Sequence, residues 1–135
     1  MSRIFNRNRI IASVLMLLTL FLGTARALSD QEGKRIEYLI TSVENLPGAK
    51  FLRNGSEYDG KQAGSHLRMK LDKAGNRVRS AEDFITLCAS KSYLSGKPYQ
   101  IVFSDGKTIP AADFFRKKLK EYRPSGRGKG TTQVR

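Results

Sequence analysis

The chain has 135 residues and a formal net charge of +13, with 25 Lys and Arg against 12 Asp and Glu. This length is sufficient for one domain with a modest core. A single Cys and a single His exclude an intrachain disulfide and provide no ligand set for a structural metal, so we expect no disulfide, metal or cofactor. A strongly basic chain favours anionic partners.

The first 27 residues differ from the rest of the chain. Three arginines and no acid precede an uncharged, mostly apolar run over residues 10–23, and Ala25 and Ala27 follow in an A-x-A arrangement. This order is typical of a secretory signal peptide. We therefore expect cleavage after Ala27, a periplasmic product and no membrane span in that product. The alternative is an uncleaved anchor, which the short apolar run disfavours, because a spanning helix needs about 20 residues.

We predict a single globular domain over residues 28–122 and a disordered basic tail over residues 123–135. The tail is rich in Gly, Ser and Thr and lacks apolar periodicity. It adjoins a basic cluster at residues 116–123 that could bind phosphate groups, and one hypothesis is therefore a purely electrostatic envelope binder. The alternative is that this charge is non-specific.

The first half of this domain predicts two helices joined by an extended segment. Ser29 and Glu32 form an S-x-x-E capping box, and "PG" at residues 47–48 ends the first helix. Its apolar stripe is Ile36, Leu39, Ile40, Val43 and Leu46. A short extended piece, "KFLRNG", ends in an Asn-Gly turn, and "SEYDG" is expected to continue as a loop. Asp59 caps a second helix over residues 60–74, whose weaker stripe is Ala63, His66, Leu67, Lys70, Leu71 and Ala74.

The second half predicts a third helix, a strand hairpin and a final helix. Ser80 caps the third helix, whose inner face is Ala81, Phe84, Ile85 and Cys88. A strand over residues 99–103, an Asp-Gly turn and a short return strand over residues 107–109 follow. Pro110 starts the last helix, in which Ala111, Phe115, Leu119 and Tyr122 face inward. The fold class is α+β and α-rich, with about four helices and a short two- to three-stranded β element.

Four stretches carry a family resemblance. At "FLRNG" (51–55), "SHLRMKL" (65–71), "NRVRSAEDFI" (76–85) and "SGKPY" (95–99), the chain resembles the YfeK-like family of small exported bacterial proteins with a domain of unknown function. The resemblance covers residues 35–119 and includes the order of the motifs. It implies a periplasmic protein, but it implies no activity, cofactor or catalytic residue.

The candidate binding residues lie in two loops and on the second helix. They are Arg53, Asn54, His66, Arg68, Lys97 and Tyr99. His66 is interpreted either as a half-buried side chain bonded to a backbone carbonyl or as a base, and the base would make the chain a hydrolase-type enzyme. Cys88 lies on an apolar stripe and is expected to pack as a hydrophobe rather than act as a nucleophile with His66. The sequence contains no familiar catalytic motif.

The loop "SGKPY" has two interpretations. It can be only a turn, because Gly96 permits tight geometry and Pro98 fixes φ before the strand. It can also be a presented loop with Lys97 and the Tyr99 hydroxyl exposed, similar to the loop of some periplasmic lysozyme inhibitors, although those proteins are β-rich and lysozymes are commonly basic. Our preferred hypothesis is a non-enzymatic domain that binds an envelope component or a periplasmic protein. Nucleic acid is a poorer candidate, because export separates the chain from it.

Overall fold

The computed structural model describes residues 28–124, and the predicted signal peptide and almost all of the predicted tail lie outside the described residues. Four helices alternate with two strand pairs: α1 Asp30–Glu44, β1 Lys50–Arg53, β2 Ser56–Tyr58, α2 Gly60–Ala74, α3 Ala81–Phe84, β3 Gln100–Val102, β4 Thr108–Pro110 and α4 Ala111–Glu121. A 3-10 turn, Gly75–Arg77, follows α2, and α3 continues as a π-helical segment, Ile85–Ala89. The α-rich α+β class is confirmed. None of the helices in this part of the chain has the length and apolar character needed to cross a membrane.

The strands form one antiparallel sheet in the order β2-β1-β3-β4. Phe51 in β1 lies opposite Tyr58 in β2 and Ile101 in β3, so the "FLR" and "QIVF" segments pair. The sequence indicated a loop at residues 56–58, and this was wrong. Asn54 and Gly55 both have positive φ, at 52° and 83°, which is the backbone of a tight two-residue hairpin and returns the chain as β2.

The helix starts follow the sequence signals closely. The Ser29 hydroxyl accepts a bond from the Glu32 backbone N–H at 3.3 Å, as expected of an N-cap. The Glu32 carboxylate was predicted to return this bond, but it instead accepts from the backbone N–H of Ala81 at 2.7 Å and thereby connects α1 to α3. In α2 the reciprocal bonds of a capping box are both present, between Asp59 and Gln62.

The core lies where the sheet meets the helices. It includes the predicted stripe of α1, the sheet residues Phe51 and Ile101, and the inner face of α3, all of them buried. In α4 the buried face differs from the predicted one. Phe114, which was not predicted to face inward, is buried beside Phe115, and the predicted residues Leu119 and Tyr122 are only partly covered. This core fixes α2 against β1 and against the π-helical segment, and so it shapes the surface described next.

Candidate functional site

A groove of about 580 Å³ opens along α2. We call it the α2 groove, and its lining residues are Arg53, Asn54, His66, Met69, Lys70, Lys73, Ala74, Arg77, Leu87, Ser92, Tyr93, Leu94 and Tyr99. Its volume lies within the range of small-molecule sites in proteins, roughly 300–1,000 Å³. The lining contains four Lys and Arg residues and no Asp or Glu. The groove is therefore both cationic and partly apolar.

One face of α2 forms the long wall of the groove. His66, Lys70 and Lys73 recur at intervals of four and three residues, which places them on the same side of the helix, and Arg77 follows in the 3-10 turn after it. At 1.5 Å per residue, the helical part of this row extends for about 10 Å. Met69 lies on the same wall. Cationic side chains therefore occur along the α2 wall and at the turn that follows it.

Arg53 and His66 form the inner end of the groove. Arg53 Nη1 lies 2.8 Å from each ring nitrogen of His66 and donates to the one that carries no proton. Arg53 Nη2 donates to the Tyr58 hydroxyl at 2.9 Å. Burial of the imidazole, and then the charges of Arg53, Lys70 and Lys73, lower the pKa of His66 to about 4. The imidazole is therefore neutral at pH 7, and Arg53 is held by neutral partners.

Lys70 is the second half-buried cation. Its ammonium donates to the backbone carbonyl of Lys91 at 3.0 Å and to the Tyr99 hydroxyl at 3.2 Å. It lies 4.8 Å from the centre of the Tyr99 ring. Burial lowers the pKa of Lys70. Within residues 28–124, none of the four groove cations takes part in an ion pair.

The opposite side of the groove is apolar. Leu87 is 40% exposed, Tyr93 is 81% exposed and Leu94 is 97% exposed, and Met69 on the α2 wall is 44% exposed. Among residues 28–124, five large hydrophobic side chains are exposed, and these are four of them. An exposed apolar patch of this kind is characteristic of an interaction site.

The loop that carries Tyr93 and Leu94 is held by hydrogen bonds. Asn54 Nδ2 donates to the Ser92 hydroxyl at 3.3 Å, and the Ser95 hydroxyl donates to Asn54 Oδ1 at 2.6 Å. The backbone N–H of Ser92 donates to the carbonyl of Lys97 at 2.9 Å. The hairpin turn of β1 and β2 therefore fixes the apolar loop across the groove from α2.

The structure brings together four of the six predicted site residues: Arg53, Asn54, His66 and Tyr99 line the α2 groove. Arg68 lies elsewhere, because it forms ion pairs with Glu37 and Glu44 and connects α2 to α1. Lys97 is exposed in its loop but does not line the groove.

Of the two interpretations of the loop, the one that needs an exposed Tyr99 hydroxyl is wrong. Its side chain is 2% exposed and packs against Phe51, with ring centres 5.2 Å apart, and its hydroxyl accepts a bond from Lys70. Burial follows from the strand pairing, because Tyr99 leads directly into the central strand β3. In "SGKPY", the tyrosine is thus part of the core and forms the floor of the groove, while the preceding residues form a turn. His66 also differs from its simplest interpretation, since it bonds to Arg53 and not to a backbone carbonyl.

Sequence reasoning missed the apolar wall and the outer cations. Met69, Leu87, Tyr93 and Leu94 come from three separate segments. Lys73 had the pattern of an ordinary solvated helix face, and Arg77 lies beyond the predicted end of that helix. One signal was available, because "SYLS" places two large apolar side chains side by side in a segment that is otherwise loop-like. Loops usually carry polar residues at such positions, so this pair indicated either a buried loop or a binding surface.

Cys88 lies outside the lining of the groove. It is 1% exposed, and burial raises the pKa of its thiol, as expected for a residue that packs as a hydrophobe. No group of three or more His, Cys, Asp and Glu side chains within residues 28–124 is arranged to hold a metal ion.

The His66 environment predicts a pH dependence of stability. A neutral native imidazole with a pKa of about 4, against 6.5 for the ordinary group, means that the unfolded chain binds a proton that the native chain does not. The free energy of unfolding should therefore fall by about 1–2 kcal/mol as the pH is lowered from 6.5 toward 4, after allowance for the solvent-exposed part of the ring. Urea unfolding across this range measures the loss.

The His66→Gln variant serves as the control for this titration. It retains an acceptor for Arg53, and the chain contains no other histidine. The variant should therefore lose the part of the pH dependence between pH 6.5 and pH 5, where carboxylates contribute little. Identical pH profiles for the two proteins would show that His66 titrates normally in the native state.

The fold and the groove together define a class: a small α+β domain with an open, amphipathic, carboxylate-free groove beside a long helix. Residues 30–123 match the family of unknown function DUF5329, and the chain belongs to this family. It is 36% identical over 91 residues to the "Uncharacterized protein YfeK" of Salmonella typhimurium, a match that covers 67% of this chain and 75% of that protein. The family resemblance seen in the sequence is thus confirmed. No solved structure matches the chain.

Proposed function

We propose that the chain is a non-enzymatic binding domain of the bacterial periplasm that holds an envelope component or a periplasmic protein partner in the α2 groove. One observation supports this above all: four cations without carboxylate partners and four exposed apolar side chains line the same concavity. Half-buried charge without an ion-pair partner, as at Arg53 and Lys70, and exposed apolar surface are both costly for a free protein, and a ligand that covers them relieves both costs.

The periplasmic location is supported by the sequence of residues 1–27. A basic start, a short apolar run and an A-x-A arrangement are the features that export machinery reads. An exported basic domain meets anionic lipids and polymers of the envelope rather than nucleic acid, so the charge of the groove and the predicted address favour the same partners.

The geometry gives less support to the two competing hypotheses. A hydrolase-type base would need an imidazole with a pKa near neutral pH, whereas burial and then the cationic neighbours lower the pKa of His66 to about 4. An inhibitor-like loop would need the Tyr99 hydroxyl in solvent, whereas that hydroxyl is bonded to Lys70 inside the groove. A purely electrostatic binder would leave the apolar wall unexplained.

The proposal is tested by capture from envelope extract with two matched variants. Leu87 and Leu28 are two leucines with similar exposed fractions, 40% and 37%. Of these two, only Leu87 lines the groove. The immobilised wild-type chain and Leu28→Asp should retain the same lipids and proteins, identified by mass spectrometry. Leu87→Asp should retain about tenfold less, because a charged group on the apolar wall opposes burial. Equal retention by all three proteins would show that the groove is not the binding site.

A further inference from the structure

We propose that the α2 groove binds one molecule of an anionic amphiphile, that is, a single aliphatic chain carrying a carboxylate or phosphate head. This inference rests on the proposed function, since it names the chemical class of the ligand for the same groove. It comes from a difference in burial among the lining residues: the cations Arg53 and Lys70 are half-buried beside His66 and Tyr99, whereas the large apolar side chains of the lining are exposed.

The inner end has the chemistry of a site for an anionic head. Arg53 Nη1 and the Lys70 ammonium are bound only to neutral acceptors, namely His66, the Lys91 carbonyl and the Tyr99 hydroxyl. An anionic oxygen that approaches these donors forms charge-assisted hydrogen bonds, which are about twice as strong as neutral ones. The groove lining contains no carboxylate that would compete for them.

The apolar wall has the chemistry of a site for an aliphatic chain. Met69 and Leu87 are partly exposed, and Tyr93 and Leu94 extend from a loop that Asn54 holds through the hydroxyls of Ser92 and Ser95. A chain lying along α2 would cover these side chains over about 10 Å of helix. Lys73 and Arg77 flank it through their own aliphatic stems; the Lys73 ammonium is exposed, and the Arg77 guanidinium donates to the carbonyls of Lys73 and Ala74.

A peptide and a bilayer fit these contacts less well. An extended peptide usually adds to a sheet edge, but β1, the strand that contributes Arg53, is already paired on both sides by β2 and β3. A bilayer surface could take up the tip of the loop at Tyr93 and Leu94. It could not reach Arg53 and Lys70, which are half-buried at the floor of the groove.

The test uses a tryptophan reporter, because the chain contains no tryptophan. Tyr93→Trp places a single indole on the apolar wall, and its fluorescence is followed while dodecyl phosphate is added below its critical micelle concentration. We expect a saturable blue shift. Dodecyl maltoside and dodecyltrimethylammonium, which carry the same chain on neutral and cationic heads, should bind about tenfold more weakly or not at all, and inorganic phosphate alone should produce no shift.

Four variants in the reporter background assign the head and the chain. Lys70→Gln should weaken dodecyl phosphate binding about tenfold. The double variant Lys73→Gln/Arg77→Gln should weaken it several-fold, and because Arg77 donates to the carbonyls of Ala74 and Lys73 at the end of α2, its urea unfolding is measured alongside. Leu87→Asp should abolish binding, and Lys117→Gln, on the exposed side of α4, should leave it unchanged.

Three results would overturn the proposal. Equal affinity for the three dodecyl compounds would show that the groove cations do not distinguish the charge of the head group. A shift with phosphatidylglycerol vesicles but not with monomeric dodecyl phosphate would indicate a membrane surface, and a shift with only an acidic apolar peptide would indicate a protein partner.

If dodecyl phosphate fails but capture from envelope extract still depends on Leu87, the ligand class is wrong and the proposed function stands. If both fail, the proposed function fails as well.

Discussion

Replacing Tyr99 by alanine is expected to lower the free energy of unfolding by about 3–5 kcal/mol, the usual cost of removing a large aromatic ring from a core. The ring is 2% exposed, packs against Phe51 and supports Lys70, so its loss leaves a cavity between the sheet and the groove. Urea unfolding followed by circular dichroism measures the change. Tyr99→Phe keeps the ring and loses only the bond to Lys70, and it should cost about 1 kcal/mol.

Tyr93→Ala is the matched control for the Tyr99 variants. It removes the same side chain at a position that is 81% exposed, only six residues away in the sequence. Its effect on stability should remain within about 0.5 kcal/mol. If Tyr99→Ala proved as mild as Tyr93→Ala, the ring at position 99 would be a surface group, and the inhibitor-like interpretation of "SGKPY" would regain its basis.

The second large effect concerns the contact between α1 and α2. A methyl group added at Gly60 would overlap the backbone carbonyl oxygen of Val43 and would lie 2.9 Å from that of Glu44. Backbone atoms at a helix end cannot move aside without shifting the helix. We therefore expect Gly60→Ala to lower the free energy of unfolding by about 2–3 kcal/mol, the upper range for overpacking. Because α2 forms one wall of the groove, ligand binding should weaken in the same variant.

Gly33→Ala tests the same substitution where there is space. The added methyl group would meet only Leu28, at 3.9 Å, in the interior of α1. Alanine is the better helix former, so this variant should be more stable than wild type by about 0.5–1 kcal/mol. Opposite signs for the two variants are the expected result. A stabilising effect of Gly60→Ala would mean that α1 and α2 do not approach as closely as described.

Local signals in the sequence predicted most of the fold. The helical stripe from Ile36 to Val43, the cap at Asp59 and the Asp-Gly turn at residues 105–106 each depend on residues close together in the chain, and the structure has them in place. The return strand at residues 56–58 was missed, although the Asn-Gly pair predicted the turn. Three residues with two polar side chains show too little alternation to be recognised as a strand without their partner β1.

The candidate site was only half predictable, because it is formed by tertiary packing. Arg53 and His66 are 13 residues apart and meet only when β1 packs against α2. Met69 and Leu87 lie outside the inner stripes of their helices, so periodicity alone assigns them to solvent. They become part of a groove only because the loop with Tyr93 and Leu94 lies nearby. Asn54 holds that loop through hydrogen bonds to residues 38 and 41 positions further along the chain.

The central claim is that the α2 groove holds the ligand, and His66 offers the most direct measurement of it. As the only histidine of the chain, it gives one imidazole Cε1–Hε1 signal in an NMR spectrum, and it lies at the inner end of the groove. We expect the envelope fraction captured by the chain to shift this signal saturably in the wild type and not in Leu87→Asp. A signal that stays unchanged while binding reaches saturation would place the ligand elsewhere and contradict the claim.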